Sequence, residues 1–317
     1  VLHLDEAGWI AMDTITLPKP MFGLAIETSA KGAEAKLGDA LSKMTSEDPT
    51  FVMERNATTK ELVARGIGEL HLRAKLKLLK DRYGVEVDTK QPKVAYKETI
   101  SSKAEGHHRH KKQSGGSGQF GEVYLRVEPV AETTEGLVDG LDFVDDTFGG
   151  SVPKQYLPAI EKGVRRVMLE GAIAGYPMQN IRVSVYDGKH HAVDSKEIAF
   201  MTAGRRAFVD AVQKASPVLP EPFVKLEITV PTGYIGDISS DLSGRRGRIQ
   251  GTDMLPGDLA IVSAEAPLSE VMSYANQLKS ITGGAGSYVM EYSHDENTPP
   301  NVQASVVASF NPQSEED

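Results

Sequence analysis

Apolar positions repeat with two periods along this chain, and the order of those periods predicts three folded modules after a short leader. In the first module, over 18–95, Phe22–Glu27 reads as a strand, and Leu37, Leu41 and Met44 mark one face of a helix over 34–44. Phe51–Arg55 and Glu61–Arg65 read as a hairpin. Leu72, Leu76, Leu79 and Tyr83 share a helical face over 68–83, Gly84 stands where a C-cap belongs, and Val85–Val87 reads as a closing strand. This βαββαβ order is the split βαβ, ferredoxin-like plan.

The second module, over 96–216, opens on a strand predicted at Val94–Ile100 and continues with strands at His108–Gln113, Glu122–Pro129 and Leu141–Asp145. A helix follows Pro153, with Leu157, Ile160, Val164 and Val167 at helical spacing. A strand over Asn180–Tyr186 ends in the polar turn Asp187–His191, and a second helix covers 195–214. The third module, over 217–310, repeats βαββαβ. Its strands are Val224–Val230, Arg248–Asp253, Asp258–Glu265 and Ser287–Tyr292, and its helices cover 234–242 and 269–281. The leader 1–17 is strand-like at Trp9–Met12 and Thr14–Leu17, and Pro18 and Pro20 close it. The fold class expected is α+β, with two ferredoxin-like βαββαβ domains flanking a different α/β domain.

The segment Gln113–Val123, QSGGSGQFGEV, carries the candidate chemistry. Gly116–Gly121 fits G-x-G-x-x-G, which in a dinucleotide site follows a strand and opens a helix. Here Val123, Leu125 and Val127 alternate with polar neighbours, so the loop leads into a strand and no helix N-terminus meets a phosphate. No V-A-I-K, H-R-D or D-F-G set of a kinase follows. Two readings stay open. The loop is a plain hairpin turn, or, behind the basic run His107–Lys112, it reaches into RNA.

Composition narrows the classes. The chain has 317 residues, of which 25% are charged and 40% belong to the hydrophobic set, as in an ordinary globular protein. No apolar run approaches 18 residues, and no signal peptide is recognised at the start, so no membrane span is expected. The absence of cysteine removes disulfides, thiolate nucleophiles and Cys-type zinc sites. These features lead to the expectation of a cytoplasmic monomer, and the start at Val1 reads as that of a fragment. A net charge of −9 argues against a coat of bound nucleic acid but allows local basic patches. Such patches occur at His107–Lys112, at Lys162, Arg165 and Arg166, and at Arg245, Arg246 and Arg248, whereas the tail 311–317 is acidic and expected to be disordered.

No P-loop, H-E-x-x-H or G-x-S-x-G motif is present, so no catalytic residue is assigned. His107, His108, His110, His190 and His191 could build an all-His metal site, or could be solvated surface residues, or could present imidazole donors to RNA. Gly244-Arg245-Arg246-Gly247-Arg248 suits phosphate contact, with glycines letting the backbone approach a partner, but a basic turn is the plain alternative. Lys162, Arg165 and Arg166 read as a solvated helix face diluted by Glu161 and Glu170.

Seven segments align in order with one family. They are Gly66–Leu72 (GIGELHL); Tyr83–Val87 with Lys93–Ile100; Gln113–Val123; Ala174–Pro177 (AGYP); His191–Ser195 (HAVDS); Tyr234–Gly247 (YIGDISSDLSGRRG); and Ala266–Glu270 with Tyr274–Leu278. In these the chain resembles the C-terminal half of bacterial elongation factor G or a close paralogue, from Pro18 to about residue 310. The resemblance implies the end of translational β-barrel domain II over 1–17, and ferredoxin-like domain III over 18–95. It implies a ribosomal-protein-like domain IV over 96–216 and ferredoxin-like domain V over 217–310.

It further implies that domain IV carries an RNA-facing tip, which enters the decoding site and holds the tRNA–mRNA duplex during translocation. That tip would be built from Gln113, Ser114, Gly115, Gly116, Ser117, Gly118 and Gln119 with Lys189, His190 and His191. Such loops suit irregular RNA, which is read through shape, 2′-hydroxyls and base edges. Ser239, Ser240, Arg245, Arg246 and Arg248 would face large-subunit rRNA, and Gly68, Glu69 and His71 would relay contact to a G domain. GTP and Mg would be bound by that G domain, outside this sequence, so the parent would be a ribosome-stimulated GTPase. The expected partners are the ribosome and the protein's own G domain. The family's usual G-G-R-G-Q has Ser117 in place of arginine here, Arg73 stands where an acidic residue is usual, and Ala285 lies where an arginine stretch is usual. These departures leave open a paralogue acting in ribosome recycling or, lower in rank, ribosomal protection. An independent RNA-binding protein and a Gly-loop nucleotide enzyme rank below these.

Overall fold

A computed structural model describes residues 17–29, 32–112 and 118–310. The chain divides into two compact units, one of 1–93 with 224–292 and the other of 94–223 with 293–317. The strand-like leader to residue 16, most of the Gly-rich loop (113–117) and the acidic tail lie outside the described residues.

The first unit holds two four-stranded sheets with one topology. In the first sheet, β1 (Phe22–Thr28), β2 (Val52–Arg55), β3 (Leu62–Gly66) and β4 (Val87–Lys90) take the order β2-β3-β1-β4. The helices α1 (Glu34–Glu47) and α2 (Glu69–Tyr83) bury Leu37, Leu41, Met44, Leu72 and Leu79 against it. Burying such side chains is worth roughly 1.5–3 kcal/mol each. The second sheet orders β11 (Pro220–Pro231), β12 (Arg248–Leu255), β13 (Leu259–Pro267) and β14 (Ser287–Asn297) as β12-β13-β11-β14. Its helices are α5 (Ile235–Gly244), α6 (Leu268–Val271) and α7 (Tyr274–Thr282).

Two expectations in this unit need correction. The strand expected at Val85–Val87 starts only at Val87. Gly84 takes a left-handed conformation, its amide bonds the Lys80 carbonyl and the Val85 amide bonds that of Leu79, so Val85 is consumed as the buried end of a Schellman-type cap. The single helix expected over 269–281 is broken at Met272 and Ser273. An unbroken helix would offer the Glu270 carbonyl to the amide of Tyr274, but that carbonyl accepts from the Arg245 guanidinium at 3.0 Å.

The second unit is built on β6 (Ala104–Lys112), β7 (Gln119–Pro129), β8 (Leu141–Asp145) and β9 (Ile181–Lys189), in the order β6-β7-β9-β8 with only the β8–β9 pair parallel. The helices α3 (Leu157–Glu170) and α4 (Glu197–Lys214) cover one face of this sheet. Alternation puts Val123, Leu125 and Val127 of β7 and Ile181, Val183 and Val185 of β9 under them. The sheet and α4 approach closely. A Cβ on Gly106 would lie 2.1 Å from the Ala207 carbonyl, so only glycine fits there.

The strand expected over Val94–Ile100 is reduced to β5 (Thr99–Ile100), paired with β10 (Pro217–Val218). The amides before it are divided between segments, Lys97 bonding the Pro220 carbonyl and Glu98 that of Pro177, so no ladder forms. Conversely, β9 continues through Lys189, three residues into the expected turn. A helix not foreseen, α8 (Pro300–Ser309), starts with proline in its first turn and packs Val306 and Val307 against Tyr96, Ala174 and Leu219.

Candidate nucleic-acid interface

The strands β6 and β7 form a long hairpin whose register runs from Ala104↔Val127 to Lys112↔Gln119. Its connecting residues Gln113, Ser114, Gly115, Gly116 and Ser117 lie outside the described residues. The start of β7 is tied to the loop after β9. The Gly118 amide donates to Asp194 Oδ1 at 3.0 Å, and the Phe120 amide to the Asp194 carbonyl at 2.9 Å. The Ser195 hydroxyl donates to the Phe120 carbonyl at 3.0 Å and accepts from the His191 amide at 2.8 Å. Gly118, Gln119 and the Lys189–Ser195 turn are thereby brought together at one end of the sheet.

His191 is held by its ring nitrogen. The amides of Val193 and Asp194 both donate to Nδ1 at 3.3 Å. A nitrogen accepting from two amides carries no proton, so the neutral ring keeps its proton on Nε2. The Asp194 carboxylate lies 3.4 Å from Nδ1, a contact that becomes an ion pair only when the ring is protonated. The His191 side chain is 56% exposed and its edge meets the Phe120 ring. His190 and Lys189 are exposed beside it. Gln119 accepts at Oε1 from His110 Nε2 at 3.2 Å, which leaves its amide NH2 for an outside acceptor.

Below the tip sits a buried carboxylate. Glu122 is 4% exposed, and its Oε1 accepts from His107 Nε2 at 2.9 Å and from the Tyr124 hydroxyl at 3.1 Å. Its Oε2 is buried without a hydrogen-bond partner. Burial pushes the carboxyl up, but the bonds from His107 and Tyr124 and the nearby Lys189 hold it on balance below its ordinary value. Burial, assisted by Arg206, lowers the pKa of His108. The histidine nitrogens of a metal site are thus spent elsewhere, His107 on Glu122, His110 on Gln119 and His191 on backbone amides. Among the described residues no group of three His, Asp or Glu side chains could hold a metal ion.

The remaining sequence-selected residues have surroundings of their own. Arg245 bonds Asp241 at 2.9 Å and the Glu270 carbonyl, and lies over the Tyr274 ring. Arg246 bonds Glu270 and Ser269, each at 3.2 Å. These two arginines fasten their own turn to α6, while Arg248 is exposed on β12. Gly247 has a reason within the chain: a Cβ there would come 2.7 Å from the Leu242 carbonyl, so glycine serves the turn itself. Ser239 lies half-buried on α5, its carbonyl accepting from the Ser243 hydroxyl at 2.7 Å, and Ser240 is exposed. Lys162 is exposed, and Arg165 and Arg166 pair with Glu161 and Glu170.

In the first unit, His71 accepts from the Ile67 amide at 3.3 Å and donates from Nε2 to Asp48 at 3.0 Å. Lys75 and Thr50 also bond Asp48, and Lys75 above all drives its carboxyl far below the usual range. Glu69 joins Arg73 and Asn276, and Gly68 caps α2 in an extended conformation. The acidic partners Asp48, Asp194 and Glu98 escaped sequence reasoning. Asp194 and Glu98 stand inside matched motifs, but the amides that their side chains accept lie 74 to 78 residues away.

Comparison with known proteins covers nearly the whole chain. Family models described as Elongation Factor G, domain III, as Elongation factor G, domain IV, and as Elongation factor G C-terminus match residues 17–91, 92–216 and 218–306. Elongation factor G of Thermotoga petrophila is 43% identical over 303 residues, and that of Aquifex pyrophilus 40% over 304, in each case 96% of this chain. A crystal structure of a Thermus thermophilus protein superposes with a TM-score of 0.76 at 41% identity, over 93% of this chain and 43% of that one. The chain spans 43% of the length of the two elongation factors.

Proposed function

We propose that this chain, which belongs to the elongation factor G family, is the ribosome-binding part of a translational GTPase, and that the His191 end of its 96–216 module holds the tRNA–mRNA duplex in the decoding site during translocation. The observation that carries the reading is the built state of that end. Two amides donate to His191 Nδ1, which leaves Nε2 as the ring nitrogen for an RNA acceptor. Lys189, two residues before His191, is exposed. Gln113–Gln119, Lys189 and His190 complete the contact surface in this reading, Ser239, Ser240, Arg245, Arg246 and Arg248 face large-subunit rRNA, and Gly68, Glu69 and His71 relay contact to the G domain. GTP and Mg belong to that G domain. The protein works as a cytoplasmic monomer on the ribosome.

The test is a toe-print of mRNA position on pre-translocation ribosomes, using the full-length protein with GTP. A shift of one codon that His191→Ala slows about tenfold or more supports the reading. No shift, with ribosome-stimulated GTP hydrolysis intact, overturns it in favour of a paralogue that splits or rescues ribosomes.

A further inference from the structure

The face of the β6-β7-β9-β8 sheet turned away from α3 and α4 has two unlike halves. Toward Pro129, every cation on it is paired: Lys103 with Glu128, Arg126 with Glu105 at 3.0 Å, and Arg182 with Asp142 at 2.6 Å. Toward the tip, Arg109, Lys111 and Lys189 are exposed and form no ion pair among the described residues. The register sets Arg109 and Lys189 on either side of Glu122, and Lys111 opposite Phe120. Glu122, the acid between them, is withdrawn from the surface with Oε1 committed to His107 and Tyr124. Asp187, at the boundary of the halves, turns its Oδ1 onto the Gly188 amide.

The same half carries aromatic rings in contact with cations or imidazoles. Arg109 lies 5.2 Å over the Phe120 ring, whose edge meets His191. His107 stacks on Tyr124 with centroids 4.1 Å apart, and Tyr124 leans on Tyr186 at 6.3 Å. Phe120 and Tyr124 are four residues apart on one strand face, roughly 13 Å. Rings interleaved with unpaired cations suit a polyanion that also has π faces, which is the chemistry of single-stranded nucleic acid. An acidic peptide would use the cations but leave the rings without a matched surface.

We infer that this half-face, formed by Arg109, Lys111, Phe120, Tyr124 and Lys189, is a second contact surface that takes a strand of single-stranded RNA running away from the tip. The inference rests on the reading of the tip as an RNA contact, and extends it along the sheet. It is tested on the full chain by fluorescence anisotropy with a fluorescein-labelled 12-mer of oligouridylate over a salt series, thermal melts confirming that each variant folds. Arg109→Ser with Lys111→Ser, which leaves the tip residues untouched, is expected to reduce the magnitude of the slope of log K against log salt by about 1.4, since each phosphate contact on a single strand contributes about 0.7. Tyr124→Leu is expected to weaken binding about fivefold or more with an unchanged slope, and Tyr124→Phe to restore it. Lys103→Ser, at the paired end, is expected to bind as the parent does. Parent-like binding by the Arg109→Ser, Lys111→Ser double variant, while His191→Ala binds more weakly, would overturn the second surface and leave the tip reading standing. An equal loss in Lys103→Ser, or failure of the parent chain to bind the oligomer at 50 mM salt, would also overturn it. The toe-print separately decides the fate of the tip reading.

Discussion

Two buried carboxylates, Glu98 and Glu122, stand in the same unit and are treated in opposite ways. Glu98 is 0% exposed, and its two oxygens accept four backbone amides, those of Ala172 (2.7 Å), Ile173 (3.0 Å), Ala174 (2.8 Å) and Tyr176 (3.1 Å). These bonds fold 172–176 into a closed turn around one anion. Glu122 has one oxygen engaged and the other buried without a hydrogen-bond partner, near Lys189. A site that only has to hold its shape closes every hydrogen bond. A site that keeps charge and donors unmatched has them in reserve for something outside the chain. In the proposed reading, the difference separates scaffold from interface within one domain.

Substitutions can break this contrast. The largest effect is expected at Glu98→Gln. An amide NH2 would be forced against a ring of donors, leaving buried N–H groups unmatched, and the unfolding free energy in urea should fall by about 3–5 kcal/mol. Asp194→Ala comes next. It removes the acceptor for Gly118 but not the backbone bond to Phe120, so a loss of about 1–2 kcal/mol is expected, with RNA-dependent activity falling as in His191→Ala. Glu122→Gln should cost less, about 1 kcal/mol at most. Its carbonyl can serve His107 and Tyr124 while its NH2 replaces an oxygen that already lacked a partner. If Glu122→Gln proved as damaging as Glu98→Gln in the same urea titration, the two ends would not differ in kind.

The pH dependence sharpens the same point. Because the folded-state pKa of Glu122 is depressed, its ion contributes stability that is present above the ordinary 4.5 and lost as pH falls through the lower folded value. Glu122→Gln should therefore flatten the stability profile below pH 4.5 and leave its neutral plateau almost level, as read by urea titrations at several pH values. The smallest effect on stability is expected for His191→Ala. Its exposed ring should be worth within about 0.5 kcal/mol, even where the toe-print shows the proposed slowing of mRNA movement. A larger loss would make His191 part of the scaffold.

Much of this was legible in the sequence because it is local. The helical faces of Leu72, Leu76, Leu79 and Tyr83 and the alternation of Val123, Leu125 and Val127 are set by period alone, and they fall where expected. The two motif segments that hold Gly118 and His191 are joined by hydrogen bonds through Asp194 and Ser195. Features built from distant partners were not legible. The helix break at Met272 depends on Arg245, and the loss of the Val94–Glu98 strand depends on Pro177 and Pro220. Of the acids that hold the GRRGR turn, Glu270 lies 24 residues beyond Arg246 and was not legible, whereas Asp241, four residues before Arg245, could have been read from helical spacing.

The Glu98 turn also has a consequence for synthesis. Ala174 follows Glu98 by 76 residues. At about 5–20 residues per second, the carboxylate waits roughly 4–15 s for the amides that it will bind. Until then the segment after Pro92 carries an anion with no pocket, and its amides lack the carbonyls of Pro177 and Pro220. The 96–216 module therefore completes its base only when most of its length has been made, and a chain stalled before Tyr176 would present an unfinished sheet to chaperones and proteases.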